Sequence, residues 1–303
     1  LQWEMVRLLA TNSRHIYYAG DDDQAIHRRA GVEVTEFMGA AEDIKILGQS
    51  YRVPLVAYNI ANQIVGRIHN RIEKKWKPTK EQGTVTYHRD DLALPIHEGS
   101  WTIMARTNGF IQDFAGRLRA DGYFYSLKGV PSVAQHTAKA ITIWRMLSGG
   151  GHISVTEAET LFKASPKQGD NPAFKRGMLP LFAAEDPLAR LTYDDMVERF
   201  GLLAPRKAFF WEVLRMGADE ALYIEAIERR GEDITEPPRL DLSTIHAMKG
   251  GEDENIALFL GSTKSSATSL YPDDEHRTFY VGVTRVIKNL HLIETQKHYR
   301  YQI

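Results

Sequence analysis

The sequence predicts an α/β fold built around a mainly parallel sheet and interrupted by a helical insertion. Two observations carry this. Short β-branched or aromatic runs alternate with helical patterns over both ends of the chain, the signature of α/β units. Between about residues 134 and 238 the pattern turns almost wholly helical, with Gly149, Gly150 and Gly151 and then Pro237 and Pro238 as hinges.

The opening "LQWEMVRLLATNSRH" has an amphipathic helical pattern with Trp3, Val6, Leu9 and Ala10 on one face, and no initiator methionine. It reads as the start of a fragment of something longer. Strands are expected at "HIYYAG" (15–20), "DIKIL" (43–47), "TVTYH" (84–88), "WTIMAR" (101–106), "LSTIH" (242–246), "NIALFLG" (255–261) and "LHLIE" (290–294). Helices are expected over 54–69, where Pro54 suits a first turn, and over 109–121, 137–148, 207–230 and 275–288.

Composition narrows the class. At 303 residues, with 43% hydrophobic and 25% charged content, the chain can bury two or three modules' worth of core. It has no cysteine, which rules out disulfides and thiolate metal sites and fits a reducing, cytoplasmic compartment. No apolar run is long enough to span a membrane. The net charge of −1 decides nothing about nucleic acid. Locally, "RIHNRIEKKWKPTK" (67–80) carries six Lys or Arg against one Glu, while "EDPLARLTYDDMVE" (185–198) carries five acids against one Arg. Such runs are usually solvated faces, so the basic one is weak evidence for phosphate binding.

Four segments hold candidate chemistry. In "YYAGDDDQAIHRRAG" an apolar approach delivers Gly20, Asp21, Asp22, Asp23 and Gln24 into a loop. Ligands of open α/β sheets bind beyond the carboxyl ends of strands, and a glutamine there can hold water and a terminal phosphate together. An acidic turn with a capping glutamine reads equally well. In "ILGQSYRVPLVAYNIANQIV", Tyr51 and Arg52 could stack on a purine and touch a phosphate, or could be a buried tyrosine beside a surface arginine. In "LDLSTIHAMKGGEDENIALFL", Thr244, His246, Lys249, Gly250 and Glu252 follow a strand, and hydroxyl, imidazole and ammonium groups there suit phosphate contacts. His246 could equally be a structural histidine, and no partner stands at metal-ligand spacing. In "EHRTFYVGVTRVIKNLHLI", Glu275, Arg277 and Arg285 fall on a helix with Phe279, Tyr280, Val283 and Val286 as its core face. Arg285 is either an arginine finger or a surface charge.

In this order, the four segments resemble the superfamily 1 DNA helicases of the UvrD/Rep/PcrA type along nearly the whole chain. "GDDDQAI" is similar to that family's motif III, "SYR" to motif IV, "TIHAMKGGE" to motif V and "YVGVTR" to motif VI. Weaker echoes lie at 61–62, 70–76 and 105–108. The resemblance implies a RecA-like, P-loop NTPase type second motor domain with a parallel sheet. Residues 1–45 would end a first motor domain, 46–133 and 239–303 would form the second, and 134–238 would be a small helical accessory insertion.

It also implies an ATP- and Mg²⁺-dependent 3′→5′ helicase or translocase acting on single-stranded DNA and duplex/single-strand junctions, with a possible protein partner at the insertion and no membrane role. Gln24, Arg52 and Arg285 would be catalytic, reaching the γ-phosphate. Tyr51, Lys249, Gly250 and Glu252 would bind the nucleotide, and His27, Arg29, Thr244 and His246 the DNA. No metal ligand is implied within the chain.

The sequence departs from the family in several places. It contains no GxxxxGK[ST] and no acidic Mg²⁺ motif, so by itself the chain is expected to be inactive. Arg29 and Ala30 precede Gly31 where the family places an aromatic and an arginine, His27 replaces a tyrosine, Ser50 an asparagine, and Gly251 an apolar residue. Base stacking is typically worth about 1–3 kcal/mol, so the DNA grip is the part these changes touch. The motor of a helicase–nuclease and a non-catalytic remnant that binds DNA or protein are the alternatives.

Overall fold

The computed structural model describes residues 2–27, 34–40, 43–268, 271–295 and 299–303. The chain divides into two compact units, Leu1–Ala115, Leu127–Gly129 and Arg239–Ile303 in one, Gly116–Ser126 and Val130–Pro238 in the other.

In chain order the strands are β1 (Thr84–His88), β2 (Trp101–Ala105), β3 (Tyr125–Leu127), β4 (Val130–Pro131), β5 (Ile153–Ser154), β6 (Arg190–Leu191), β7 (Leu240–Thr244), β8 (Asp253–Phe259) and β9 (Val286–Ile293). The helices are α1 (Gln2–Ala10), α2 (Val34–Met38), α3 (Leu55–Val65), α4 (Asn108–Ala120), α5 (Gln135–Ser148) and α6 (Val155–Ala164). They continue with α7 (Leu179–Ala183), α8 (Tyr193–Glu198), α9 (Phe210–Val213), α10 (Ala218–Arg229), α11 (Lys264–Ala267) and α12 (Pro272–Val283).

The fold is α/β, with a mostly parallel seven-stranded sheet in the order β1-β9-β8-β2-β7-β3-β4. This arrangement is compatible with a RecA-like domain. Trp101 of β2 lies opposite Leu240 of β7 on one side and Asn255 of β8 on the other, both pairings parallel. All five β2 residues are buried, as expected of a central parallel strand covered on both faces. β1, at the edge, is mostly exposed.

Two helices position the site. α3 starts at Pro54, whose extended backbone (ψ 165°) turns the chain into the helix, and buries Ala57, Ile60, Ala61, Ile64 and Val65 at helical spacing. α12 has Pro272 in its first turn with Asp273, Asp274 and Glu275, the arrangement a helix dipole favours. From Thr278 to Val283 every residue of α12 is buried. Phe279, Tyr280, Val281 and Val283 join Ile245, Leu258 and Leu290 in one core with α3.

The structure corrects three expectations about elements. Residues 15–20 and 43–47 form no strand and pair in no ladder among the described residues, and Tyr17 (91% exposed) and Leu47 (84%) face solvent. A strand needs a neighbouring backbone, and among the described residues these β-prone runs have none; the nearest pairing is the isolated Gln49–Lys77 bridge just after the second run. The helix expected over 275–288 stops at Val283, and β9 begins at Val286, so Arg285 sits in the tight connection between them. The helix expected over 207–230 breaks into α9 and α10, because the Arg215 amide donates to the Ala164 carbonyl (2.9 Å) and Gly217 is extended.

The second unit is less helical than its sequence pattern, with irregular stretches over 165–178 and 199–209. Capping boxes at Ser154 with Glu157 and Thr192 with Asp195 fix the starts of α6 and α8. Among the described residues no helix is long and apolar enough to cross a membrane.

Candidate functional site

The site belongs to the first unit and is organised by a single turn of 3-10 helix at Asp22–Gln24. Asp21 caps it, accepting from the Asp23 amide at 3.1 Å and from Gln24 Nε2 at 2.6 Å. The next two carboxylates point inward. Asp22 accepts from the Ile72 amide at 2.8 Å, and Asp23 takes both arms of the Arg71 guanidinium at 2.8 and 2.7 Å. Lys74 reaches all three, lying 3.0 Å from Asp21 and from Asp23 and in contact with Asp22. Arg277 of α12 donates to the Asp22 carbonyl at 2.9 Å and to the Asn70 carbonyl. The loop is therefore stitched to residues 70–74 and to α12.

Charges buried this deeply need partners, since desolvation costs several kcal/mol per ion. Burial raises the Asp23 carboxyl, but the hydrogen bonds from Arg71 and Lys74 outweigh it and hold the group below its ordinary value. Burial works against the Lys74 ammonium, and the three aspartates overcome it and raise Lys74. The buried Tyr280 phenol is pushed up by desolvation and by Asp21 and Asp23.

Beside this cluster lies Arg285, 2% exposed. Its Nε donates to the Val281 carbonyl at 3.1 Å, Nη1 to the Gly251 carbonyl at 3.4 Å, and Nη2 to Gln24 Oε1 at 3.1 Å. Desolvation, and then the guanidinium of Arg52, bring Arg285 down to about 10, which leaves it charged at neutral pH. Arg52 donates to Glu252 at 3.1 Å, while its Nε is buried with no hydrogen-bond partner among the described residues. Ser50 Oγ accepts from the Arg52 and Val53 amides and so fixes the bend that carries Arg52.

A cleft of about 520 Å³ opens here, its lining including Gln24, Arg52, Lys74, Thr284, Phe37 and Trp76. Two neighbouring guanidiniums, one with an orphaned N–H, with the exposed Glu252 and the partly exposed Asp21 as nearby carboxylates, make an anion-accepting corner. The terminal phosphate of a nucleotide fits that corner. Mg²⁺ does not fit the chain's own residues: Asp22 and Asp23 are occupied by Arg71, Lys74 and the Ile72 amide, and no group of three potential metal ligands occurs among the described residues.

The other expected residues fall around this centre. Tyr51 is 91% exposed next to Arg52, its ring uncommitted to the core. Thr244 ends β7 and caps the following turn, accepting from the Ala247 amide at 3.3 Å. Lys249 and Gly250 lie exposed in that turn, and Gly250 has φ +98°, a conformation other residues rarely adopt. His246 sits 6.0 Å from His27, ring centre to ring centre, with its imidazole facing the Ile26 backbone. Burial, then the Arg106 and His27 charges, bring His246 down to about 4, so it is neutral at pH 7. Arg106 itself is engaged by Glu275 at 2.8 Å. Arg29 lies outside the described residues.

The structure thus brings together Gln24, Arg52, Arg285 and Glu252, and separately His27 and His246. Sequence reasoning placed Arg277 and Tyr280 on the last helix and Arg71 and Lys74 in the basic run, and gave none of the four a role at the site. A usable signal existed for two of them: three successive aspartates between apolar residues require cations, and "NRIEKKW" supplies them. Instead of forming a free phosphate-binding face, Arg71 and Lys74 of the basic run are spent inside the molecule.

Fold and site together define an α/β unit in which a glutamine and an arginine line an anion-accepting cleft and a second, buried arginine bonds that glutamine. Over 96 residues the chain is 28% identical to the ATP-dependent DNA helicase PcrA of Bacillus subtilis (strain 168). That match takes in 30% of this chain and 13% of the relative, so it covers a small part of the curated protein. The similarity points to a UvrD/PcrA-like helicase relation. No protein-family model matches the chain.

Proposed function

We propose that this chain forms part of the motor of an ATP-dependent DNA helicase or translocase and supplies the γ-phosphate-sensing side of its ATP site. The observation that carries this reading is the buried Arg285, bonded to Gln24 and beside an Arg52 whose Nε lacks a partner. In phosphoryl transfer the protein's work is positioning and charge stabilisation. Arg285 and Arg52 are suited to meet negative charge developing on the γ-phosphate, and Gln24 to orient the attacking water.

In this reading Tyr51 stacks on the base, Glu252 contacts the ribose, and Lys249 and Gly250 border the nucleotide. Thr244, His246, His27 and Arg29 follow single-stranded DNA, with 3′→5′ movement and junction binding taken from the family resemblance. The phosphate-cradling loop and the Mg²⁺ ligands come from a partner domain, because the sequence contains no GxxxxGK[ST].

The test is ATP hydrolysis by the full-length protein that contains this chain, with and without single-stranded DNA, beside Arg285→Ala. The expected result is DNA-stimulated hydrolysis that the substitution lowers by about 10³–10⁵-fold. Absence of hydrolysis in the intact protein would favour a non-catalytic DNA- or protein-binding role. Hydrolysis indifferent to Arg285 would refute the assignment of the site.

A further inference from the structure

The three aspartates are not equivalent. Asp22 and Asp23 are sealed in and hold backbone and guanidinium groups, which is structural work. Asp21 keeps 29% side-chain exposure at the cleft; besides the Asp23 amide at 3.1 Å and the shared Lys74 ammonium at 3.0 Å, it alone of the three accepts from the Gln24 amide nitrogen, at 2.6 Å. A primary amide has one donor end and one acceptor end. With Nε2 held by a carboxylate, Gln24 must turn Oε1 the other way, and it meets Arg285 Nη2 at 3.1 Å. The reversed amide would set N–H groups against a guanidinium and an oxygen against a carboxylate.

Lys74 is the only group shared by Asp21, Asp22 and Asp23 among the described ion pairs, and it lines the same cleft as Gln24. It ties the one partly exposed carboxylate to the two fixed ones. Without it Asp21 has no ion-pair partner among the described residues and is held only by the Asp23 amide and the Gln24 amide nitrogen.

We propose that Lys74 is a positioning residue which, through Asp21, sets the orientation of the Gln24 amide and so aligns Gln24 with Arg285. The geometric part stands on this chain alone; its consequence for turnover rests on the phosphoryl-transfer reading above. Arg71 has no such role, because among the described hydrogen bonds it meets Asp23 and neither Asp21 nor Gln24.

Two experiments separate these claims. In this chain, the side-chain NMR signals of Gln24 Nε2 and the Arg285 guanidinium are compared in the parent, Lys74→Met and Lys74→Arg. Both signals should move in Lys74→Met and return toward the parent in Lys74→Arg. Unchanged signals in a folded Lys74→Met overturn the proposal. If Lys74→Met does not fold, Asp21→Asn decides: it keeps the shape, removes the charge-assisted bond, and must shift both signals.

In the full-length protein, Lys74→Met should lower kcat by up to about 10²-fold, the cost of a small misplacement, with KM for ATP little changed and Lys74→Arg restoring most of the loss. If Arg285→Ala abolishes turnover while Lys74→Met leaves kcat intact, the positioning role is wrong and the motor reading survives. If neither matters, the motor reading fails and the NMR comparison still decides the geometry.

Discussion

The second unit and the loop cluster of the first solve burial in opposite ways. In the second unit, Phe162 meets Phe174 edge-on at 5.2 Å and Phe182 at a tilt at 5.4 Å, and Phe182 stacks on Phe200 at 4.6 Å, in an apolar cluster with cations at its rim. Lys167 lies over Phe162 at 4.5 Å and Arg199 over Phe200 at 5.3 Å. In the first unit, Asp22, Asp23, Arg277 and Arg285 are themselves buried, next to the aliphatic core of α3 and α12. Aromatic packing gains stability directly. Buried ion pairs are roughly neutral at best for stability, so their presence around Gln24 points to a role in fixing geometry.

This contrast can be broken by substitution. Phe174→Ala should have the larger effect, about 3–5 kcal/mol measured by chemical denaturation, because the side chain is fully buried and leaves a cavity. It should leave the Arg285 NMR signal unmoved. Asp23→Ala should cost about 3 kcal/mol, since it strands Arg71 while Lys74 keeps two carboxylates. Equal loss of the Arg285 signal in both variants would erase the distinction between the regions.

The smallest effect concerns pH. His88 Nε2 and His291 Nδ1 share a buried hydrogen bond of 2.8 Å between β1 and β9. Burial, then the His88 charge, bring His291 down from 6.5 to about 4. The unfolded chain binds that proton first, so stability should fall between pH 6.5 and about 4 and level off below, by roughly 1–3 kcal/mol. Asp23 acts in a different window. Its folded value is depressed, so its contribution is complete above 3.8 and is lost only as pH falls through that lower value. His246, also brought down to about 4, acts in the same window, so His291→Gln should shrink the first slope without abolishing it and leave the second. A pH titration of unfolding in which the first slope is as steep in His291→Gln as in the parent would refute the assignment to His291.

The sequence determined the parts of the fold that local pattern controls. "TVTYH", "WTIMA", "NIALF" and "LHLI" form the strands their β-branched and aromatic residues predict, and Pro54 and Pro272 open helices whose apolar positions fall at helical spacing. The same alternation predicted an α/β fold with a mainly parallel sheet. Motif order singled out Gln24, Arg52 and Arg285; Gln24 and Arg52 line one cleft, and Arg285 bonds Gln24.

Tertiary structure alone decided the rest, because pairing depends on what arrives from elsewhere in the chain. Residues 15–20 and 43–47 have strand character without a neighbouring strand, so propensity there went unused. Arg285 left the helix for the connection before β9, a shift that places a buried guanidinium against a glutamine 261 positions away. The aspartates found Arg71 and Lys74 about fifty residues downstream, turning what looked like a solvated basic face into internal counter-charge. Local sequence specifies the backbone's preferences and the charges available. Which charges neutralise each other, and which remain for an incoming anion, is set by desolvation once distant segments pack together.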